Sequence, residues 1–355
     1  MKKFLLNVIK YAVIISLTGY LLWNAFDTLD GETPAEKWGS LKFHWLAADK
    51  FLLVASGIAA VLSHLVRAQR WRILLRPLGY EVGLMNSFHA VINGYFINLA
   101  IPRGGEVSRP ISLNKMEGVP VDKGLGTVVM ERVIDMVFLL LCIGTVVLFQ
   151  LSTFSEFLTR VQEEKALEGG TPETGMDWKT MTIIALAIVG IITFVLLFIF
   201  KRDLFQKVID AGKNFWIGMK SGLASVFQLK QRGWFIFHSL LIWFFYYVML
   251  YTVLLAFDDT KNLGPLDALT IFIVGGIAMA LPMPGGAGTY HYLVPRGLVY
   301  LCGVADLAKT TAFATIFHGL QTVVLIVLGA IGLYEIQRRA AKRKPQRDKQ
   351  GKDSI

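Results

Sequence analysis

The chain has 355 residues, 54% of them hydrophobic and 17% charged, with a formal net charge of +10. Soluble domains carry about a quarter charged residues, and several stretches here reach the roughly 20 apolar residues that cross a bilayer. A soluble fold is excluded, and the basic excess is a signal of membrane topology, not of nucleic-acid binding.

The chain opens "MKKFLLNVIKYAVIISLTGYLLWNAF". A charged start and an apolar run to Phe26 without a small-x-small site predict an uncleaved first membrane helix rather than a signal peptide. In chain order, full spans are predicted at 8–26, 46–66, 124–150, 178–200, 234–257 and 309–333. Two further apolar stretches, 84–115 and 265–303, are broken in the middle by Pro and Gly. Each half is about 15 residues, or about 22 Å of helix, against a hydrocarbon core about 30 Å thick. They read as re-entrant helical hairpins, with short tilted spans as the alternative.

Segment 203–232 is too charged to span, and alternates Lys207, Lys213 and Lys220 with Phe205, Val208, Phe215 and Trp216. It suits an amphipathic helix on the inner membrane surface, or a plain connector. Residues 336–355 read as a basic disordered cytoplasmic tail. The expected architecture is an all-α polytopic membrane domain over 1–335, and Cys142 and Cys302 read as small buried hydrophobes.

Loop charges orient this layout. Cytoplasmic loops carry excess Lys and Arg. The N-terminus, the Arg67–Arg76 region, segment 201–232 (net +5) and the tail (net +5) are basic. Segments 27–50 (net −2), 151–179 (net −3) and 258–267 are acidic. Both termini are then cytoplasmic, and the two hairpins enter from opposite faces.

The hairpins also match in sequence. Shifted by 182, Gly94, Leu99, Pro102 and Gly104 fall on Gly276, Leu281, Pro284 and Gly286. In the helices that follow, a shift of 186 places Lys123, Arg132 and Asp135 on Lys309, His318 and Gln321. Inverted repeats with interrupted helices are a pattern of secondary transporters, with the site near the midplane. Broken backbone at that depth is tolerated only around protein or a water-filled cavity, and helix N-termini facing such a cavity favour an anion. Pro102, Gly104, Gly105, Pro284, Gly285, Gly286 and Gly288 mark the breaks.

The charged candidates cluster around the first hairpin. "PRGGEVSRP" supplies Arg103, Glu106 and Arg109, and the third span carries Glu131, Arg132 and Asp135. Intramembrane charges are costly and face partners or a polar pathway. Arg132 is expected to pair with Asp135 or Glu106. Either a substrate pathway or a static ion-pair network accounts for them. His318 and Gln321 join the list through the repeat. His291 and Arg296 follow the second crossing near the outer interface, either with a functional role or as headgroup-level anchors. There is no phosphate-binding G-x-x-x-x-G-K-[ST] loop, no H-E-x-x-H, no G-x-S-x-G and no Cys/His cluster. No cofactor, metal or enzymatic centre is therefore expected.

"RAQRWRILLRPLGY", "NGYFINLAIPRGGEVSRP", "GLGTVVMERVIDM" and "LPMPGGAGTYH" resemble the lysylphosphatidylglycerol synthase transmembrane-region, or flippase-like, family over roughly 8–335. The resemblance implies lipid translocation through a central cavity flanked by two re-entrant hairpins, in the bacterial cytoplasmic (inner) membrane. Its motif positions fall on Pro102, Arg103, Gly104, Gly105, Glu106, Arg109, Glu131, Arg132, Asp135, Pro284, Gly285, Gly286 and Gly288. The soluble aminoacyl-transferase domain of the full synthases is missing from the sequence, which speaks against lipid lysylation by this chain. Implied partners are membrane lipids with phosphate-containing headgroups, a second copy of the chain and a separate lipid-modifying enzyme, with no nucleic acid. The cargo is then an anionic or zwitterionic phospholipid, or a polyprenyl-phosphate or glycolipid carrier. A transporter of small soluble anions and a non-transporting membrane subunit are the alternatives.

Overall fold

The computed structural model describes residues 2–149 and 224–352, and side chains over 14–149 and 224–343. Among these residues all regular structure is helical: α1 (Lys2–Asp27), α2 (Pro34–Ala47), α3 (Lys50–Leu75), α4 (Leu84–Asn98), α5 (Gly104–Glu117), α6 (Val121–Phe149), α7 (Arg232–Ala256), α8 (Pro265–Ala280), α9 (Thr289–Cys302) and α10 (Leu307–Lys352). The expected span at 178–200 and most of segment 203–232 lie outside the described residues.

Local chemistry sets several boundaries. Thr33 and Glu36 form a reciprocal capping box with Pro34 in the first turn, and so start α2 inside the stretch expected to be an acidic loop. Asp49 caps α3 by accepting from the Phe51 and Leu52 amides at 2.8 and 3.2 Å. Left-handed Gly118 and Gly303 close α5 and α9. Helix also continues to Lys352, where the sequence reading expected a disordered tail. Ala340, Ala341 and the Arg and Lys around them are strong helix formers, and Glu335 pairs with Arg338 and Arg339 at helical spacing.

Four helices among the described residues are long and apolar enough to cross a membrane: α3 with its following turn, α6, α7, and α10 over Leu307–Arg343. Between them lie two helical hairpins, α4–α5 and α8–α9. The halves α3–α6 and α7–α10 repeat one order of long, short, short and long helices. Pro110 and Pro295 sit at matching points inside the second short helix of each half.

The halves interlock. α3 and α7 pack antiparallel: the Asp49 amide donates to the Ala256 carbonyl, the Ser56 hydroxyl to the Met249 carbonyl, and Arg70 to the Ser239 hydroxyl. α4 packs on α10, and α8 on α6, so the first helix of each hairpin leans on the last helix of the other half. Two apolar cores form, each centred on one half. One gathers Trp71, Leu75, Phe88, Ile92 and Leu113, and the other Leu254, Ile271, Leu298, Phe313 and Phe317.

The hairpin tips meet. Leu99 fills the space in which a Gly285 side chain would stand, and the Arg103 guanidinium donates to the Ala280 carbonyl at 2.9 Å. α10 indexes their depth: its Gly329 lies against Phe96 in the last turn of α4, and its His318 reaches Gly285 at 3.0 Å. The two contacts lie 11 residues apart along its Leu307–Arg343 span.

Candidate functional site

Where α3, α5, α6 and α7 converge, a continuous ion network is buried. Asp135 accepts from Arg67 at 2.9 Å and from Arg70 at 2.8 Å. Glu131, one helical turn earlier, takes Arg109 at 2.6 Å and Arg70 at 3.5 Å. Arg70 therefore bridges both carboxylates. Arg132 closes the rim, 3.9 Å from Asp135, with its side chain 43% exposed. Arg67, Arg70, Arg109 and Glu131 are 2%, 0%, 4% and 0% exposed, so the core of the network is closed off from the surface.

Aromatic and hydroxyl groups complete the shell. The Arg109 guanidinium lies 3.8 Å from the centre of the Trp71 ring, and the Trp71 indole donates to Thr127 at 2.8 Å. Arg67 donates to the Tyr246 hydroxyl through Nε and Nη2 at 3.2 and 3.0 Å, and Tyr246 meets the Tyr95 hydroxyl at 3.4 Å. Arg109 Nε and Nη2 are buried and have no hydrogen-bond partner. Four guanidiniums thus stand against two carboxylates, a formal excess of two positive charges.

The predicted residues divide into three groups. Arg109, Glu131, Arg132 and Asp135 come together here. Arg103 and Glu106 do not. Arg103 sits exposed at the first hairpin tip, and Glu106 has no ion-pair partner within 4 Å among the described residues. Of the two expected partners of Arg132, only Asp135 is in reach. His318 belongs to the second tip, under Gly285, and Gln321 lies three residues further along α10, half-buried. His291, expected near the outer interface, is 7% exposed beside His318. Arg296 is half-buried and stacks on Tyr292.

At the N-terminus of α5, expected to hold an anion, the first amides are already occupied, and at α9 the N-cap amide is. The Gly104, Gly105 and Glu106 amides donate to Ile101, Asn98 Oδ1 and Arg103, and the Gly288 amide donates to His291 Nδ1. Around the ion network, the donors left for an anion are those of Arg109. Pro102 and Pro284 stand between the two helices of their hairpins. Gly285, Gly286 and Gly288 have φ of 56°, 76° and 82°, which only Gly adopts without strain. Gly104 and Gly105 serve differently, inside α5. A Cβ at Gly105 would collide with the Gly94 carbonyl, so this pair lets α4 and α5 touch backbone to backbone.

Arg67 and Arg70 were missed. The sequence reading ended the second span at 66 and counted both as cytoplasmic loop charges. The structure continues α3 through them because Asp135 and Glu131 neutralise them inside the bundle. The usable signal was their i,i+3 spacing within an unbroken helical pattern, "VRAQRWRILL", with no Gly or Pro until Pro77.

These features define a polytopic helical membrane protein in which two interlocked halves enclose a buried cationic cluster. The chain belongs to the lysylphosphatidylglycerol synthase TM region family, whose model matches residues 7–329. It is 35% identical over 86 residues to the UPF0104 membrane protein MJ1595 of Methanocaldococcus jannaschii, covering 23% of this chain and 26% of that one. It is 25% identical over 307 residues to the glycosyltransferase AglD of Haloferax volcanii, covering 80% of this chain and 49% of AglD. The UPF0104 membrane protein MJ1078 of M. jannaschii is 25% identical over 263 residues, which is 72% of this chain and 99% of that protein. The match thus spans about a quarter of MJ1595, about half of AglD and nearly all of MJ1078. No solved structure matches the chain.

Proposed function

We propose that the chain is a lipid translocase that moves a lipid with an anionic, phosphate-containing headgroup between leaflets while its tails stay in the bilayer. The observation that carries this is the buried excess of arginine, with two orphaned Arg109 donors. A buried uncompensated cation is strongly unfavourable, and a phosphate oxyanion suits forked guanidinium donors. Arg132, at the rim, receives the headgroup first; Arg109 holds it deeper, and Glu131 and Asp135 keep the empty cluster from excessive charge. The hairpins are re-entrant, dipping from opposite faces to meet at mid-membrane, and both termini lie on the cytoplasmic side of the cytoplasmic membrane. The chain acts as a transporter rather than as an enzyme.

The likeness to a glycosyltransferase favours one specific version, in which the cargo is a glycosylated or polyprenyl-phosphate carrier lipid. Reconstitution into vesicles tests the reading. Leaflet exchange of a fluorescent phosphatidylglycerol should rise above that of protein-free vesicles, and Arg132→Ala should slow it about tenfold, the equivalent of about 1.4 kcal/mol. Exchange equal to that of empty vesicles for anionic phospholipids and polyprenyl phosphate alike would refute it. Cysteine labelling from each side checks the orientation.

A further inference from the structure

A groove runs between α3 and α10, away from the arginine cluster. Val54, Gly57, Ile58 and Leu62 of α3 form one wall and Leu320 and Val324 of α10 the other, and together they enclose about 540 Å³. Gly57 makes the room, because a side chain added there would meet nothing within 4 Å. The groove starts at Trp45 and Lys50 and ends at Leu62, which is about 18 Å along α3 at 1.5 Å per residue. One leaflet of the hydrocarbon core is about 15 Å deep, so the groove is about as long as one leaflet is thick.

Its width selects the occupant. Spread over that length, the volume gives a mean cross-section of about 30 Å². A helix with its side chains is about 10 Å across and takes about 80 Å². Neither another helix of this chain nor one from a second copy fits inside, whereas a single extended hydrocarbon chain does. The lining agrees, since Lys50 is the one charged residue in it.

That charge sits at the mouth. Lys50 is exposed, and its ammonium donates to the Trp45, Leu46 and Ala48 carbonyls at the end of α2, 5.4 Å from the centre of the Trp45 ring. These bonds hold the cation in place and use its three protons, so it acts on an anion as a point charge. Asp49, its neighbour, is committed to the Phe51 and Leu52 amides. Trp38 and Trp45 of α2 are 62% and 40% exposed, and exposed Trp beside the end of a span marks the headgroup level.

The energetics follow from the solvent. Lipid tails are as apolar as Leu, so entry from the bilayer carries no hydrophobic preference. An empty slot would cost its walls their dispersion contacts on one side, and a chain restores them. Preference among lipids comes from the mouth, where one Lys favours an anionic headgroup about fivefold.

We propose that this groove is a lipid-binding site separate from the arginine cluster. It seats one acyl chain of an anionic phospholipid from the leaflet in which α3 begins, with the phosphate beside Lys50. The site stands whether or not the chain translocates lipid.

Photolabelling tests it. The full chain is placed in phosphatidylcholine vesicles with a trace of phosphatidylglycerol carrying a photoreactive group on one acyl chain, and labelled residues are mapped by mass spectrometry. Val54, Ile58 and Val324 should be labelled about fivefold more than Leu140 and Leu141, which are exposed on α6 and line no such groove. Gly57→Phe fills the slot and should bring the groove down to the α6 level. Lys50→Gln should keep the chain seated but abolish the about fivefold preference for a phosphatidylglycerol probe over a phosphatidylcholine one. Both variants are checked for folding by thermal unfolding. Equal labelling of the groove and α6 in the parent chain means ordinary bilayer contact only and refutes the site without recourse to either variant. A groove left unlabelled is covered by protein, which refutes it too. Labelling untouched by Gly57→Phe refutes the seat, and a preference untouched by Lys50→Gln refutes the role of the mouth.

Discussion

Changing Glu131 to Gln probes the charge imbalance of the arginine cluster directly. Glu131 is fully buried and serves Arg109 at 2.6 Å and Arg70 at 3.5 Å. The substitution keeps the shape and removes a negative charge, raising the formal excess from two to three. Stranding a partner of a buried ion pair costs about 3–5 kcal/mol. Arg109→Met acts in the opposite direction. It lowers the excess to one and loses the 2.6 Å pair with Glu131 and the stacking on Trp71, a cation–π contact of about 0.5–2 kcal/mol, but leaves Glu131 paired with Arg70 at 3.5 Å. The carboxylate variant should therefore be less stable than the arginine variant by about 2 kcal/mol or more. In the double variant the stranded Arg109 charge is gone, so the coupling energy should approach the upper part of the roughly 0.5–3 kcal/mol range of contacting pairs. Chemical denaturation in mixed micelles, followed by tryptophan fluorescence, measures all three. Equal losses for the two single variants, or an additive double variant, would show that the cluster carries no net positive excess.

Arg103 has φ 59° and ψ 7°, and is the one non-glycine residue with positive φ among the described residues. Its repeat partner, 182 positions on, is Gly285 with φ 56° and ψ 16°. A left-handed side-chain residue costs roughly 1–2 kcal/mol, so Arg103→Gly should be more stable than Arg103→Ala in thermal unfolding, while both lose the link to Ala280 and slow lipid exchange; an Ala variant as stable as the Gly variant would count against strain. Gly105→Ala should destabilise by about 1–3 kcal/mol, as overpacking does, since its Cβ meets the Gly94 backbone, and parental stability on denaturation would exclude the close crossing of α4 and α5. Thr33→Ala should cost about 1 kcal/mol through the lost cap, and should raise amide exchange in α2 and nowhere else.

Much of the fold could be read before the structure was known, because a bilayer imposes constraints that act through composition. Span length follows from apolar run length, which located α3, α6, α7 and α10. Pro102, Pro284 and their neighbouring glycines announced the hairpin breaks, since few other residues interrupt an apolar helix so sharply. The same logic misread Arg67 and Arg70. A hydropathy window treats any arginine as the end of a span, and nothing local says that Asp135, 65 and more residues away, neutralises them. Helix α2 was overlooked although its capping signal, Thr33 to Glu36, stood in plain view within an acidic stretch.

What the sequence determined by itself was therefore one-dimensional: the membrane-spanning class, the two broken stretches and the repeat that relates them. The tertiary structure decided who pairs with whom. It placed Arg109, Glu131 and Asp135 in one buried network with Arg132 at its rim, left Arg103 and Glu106 outside it, and moved His291 and His318 beneath the opposite tip. The reason is physical. Burial of apolar surface depends on runs and periods that a sequence displays, whereas an ion pair depends on two side chains a few ångströms apart, a distance set only when helices from different parts of the chain have packed.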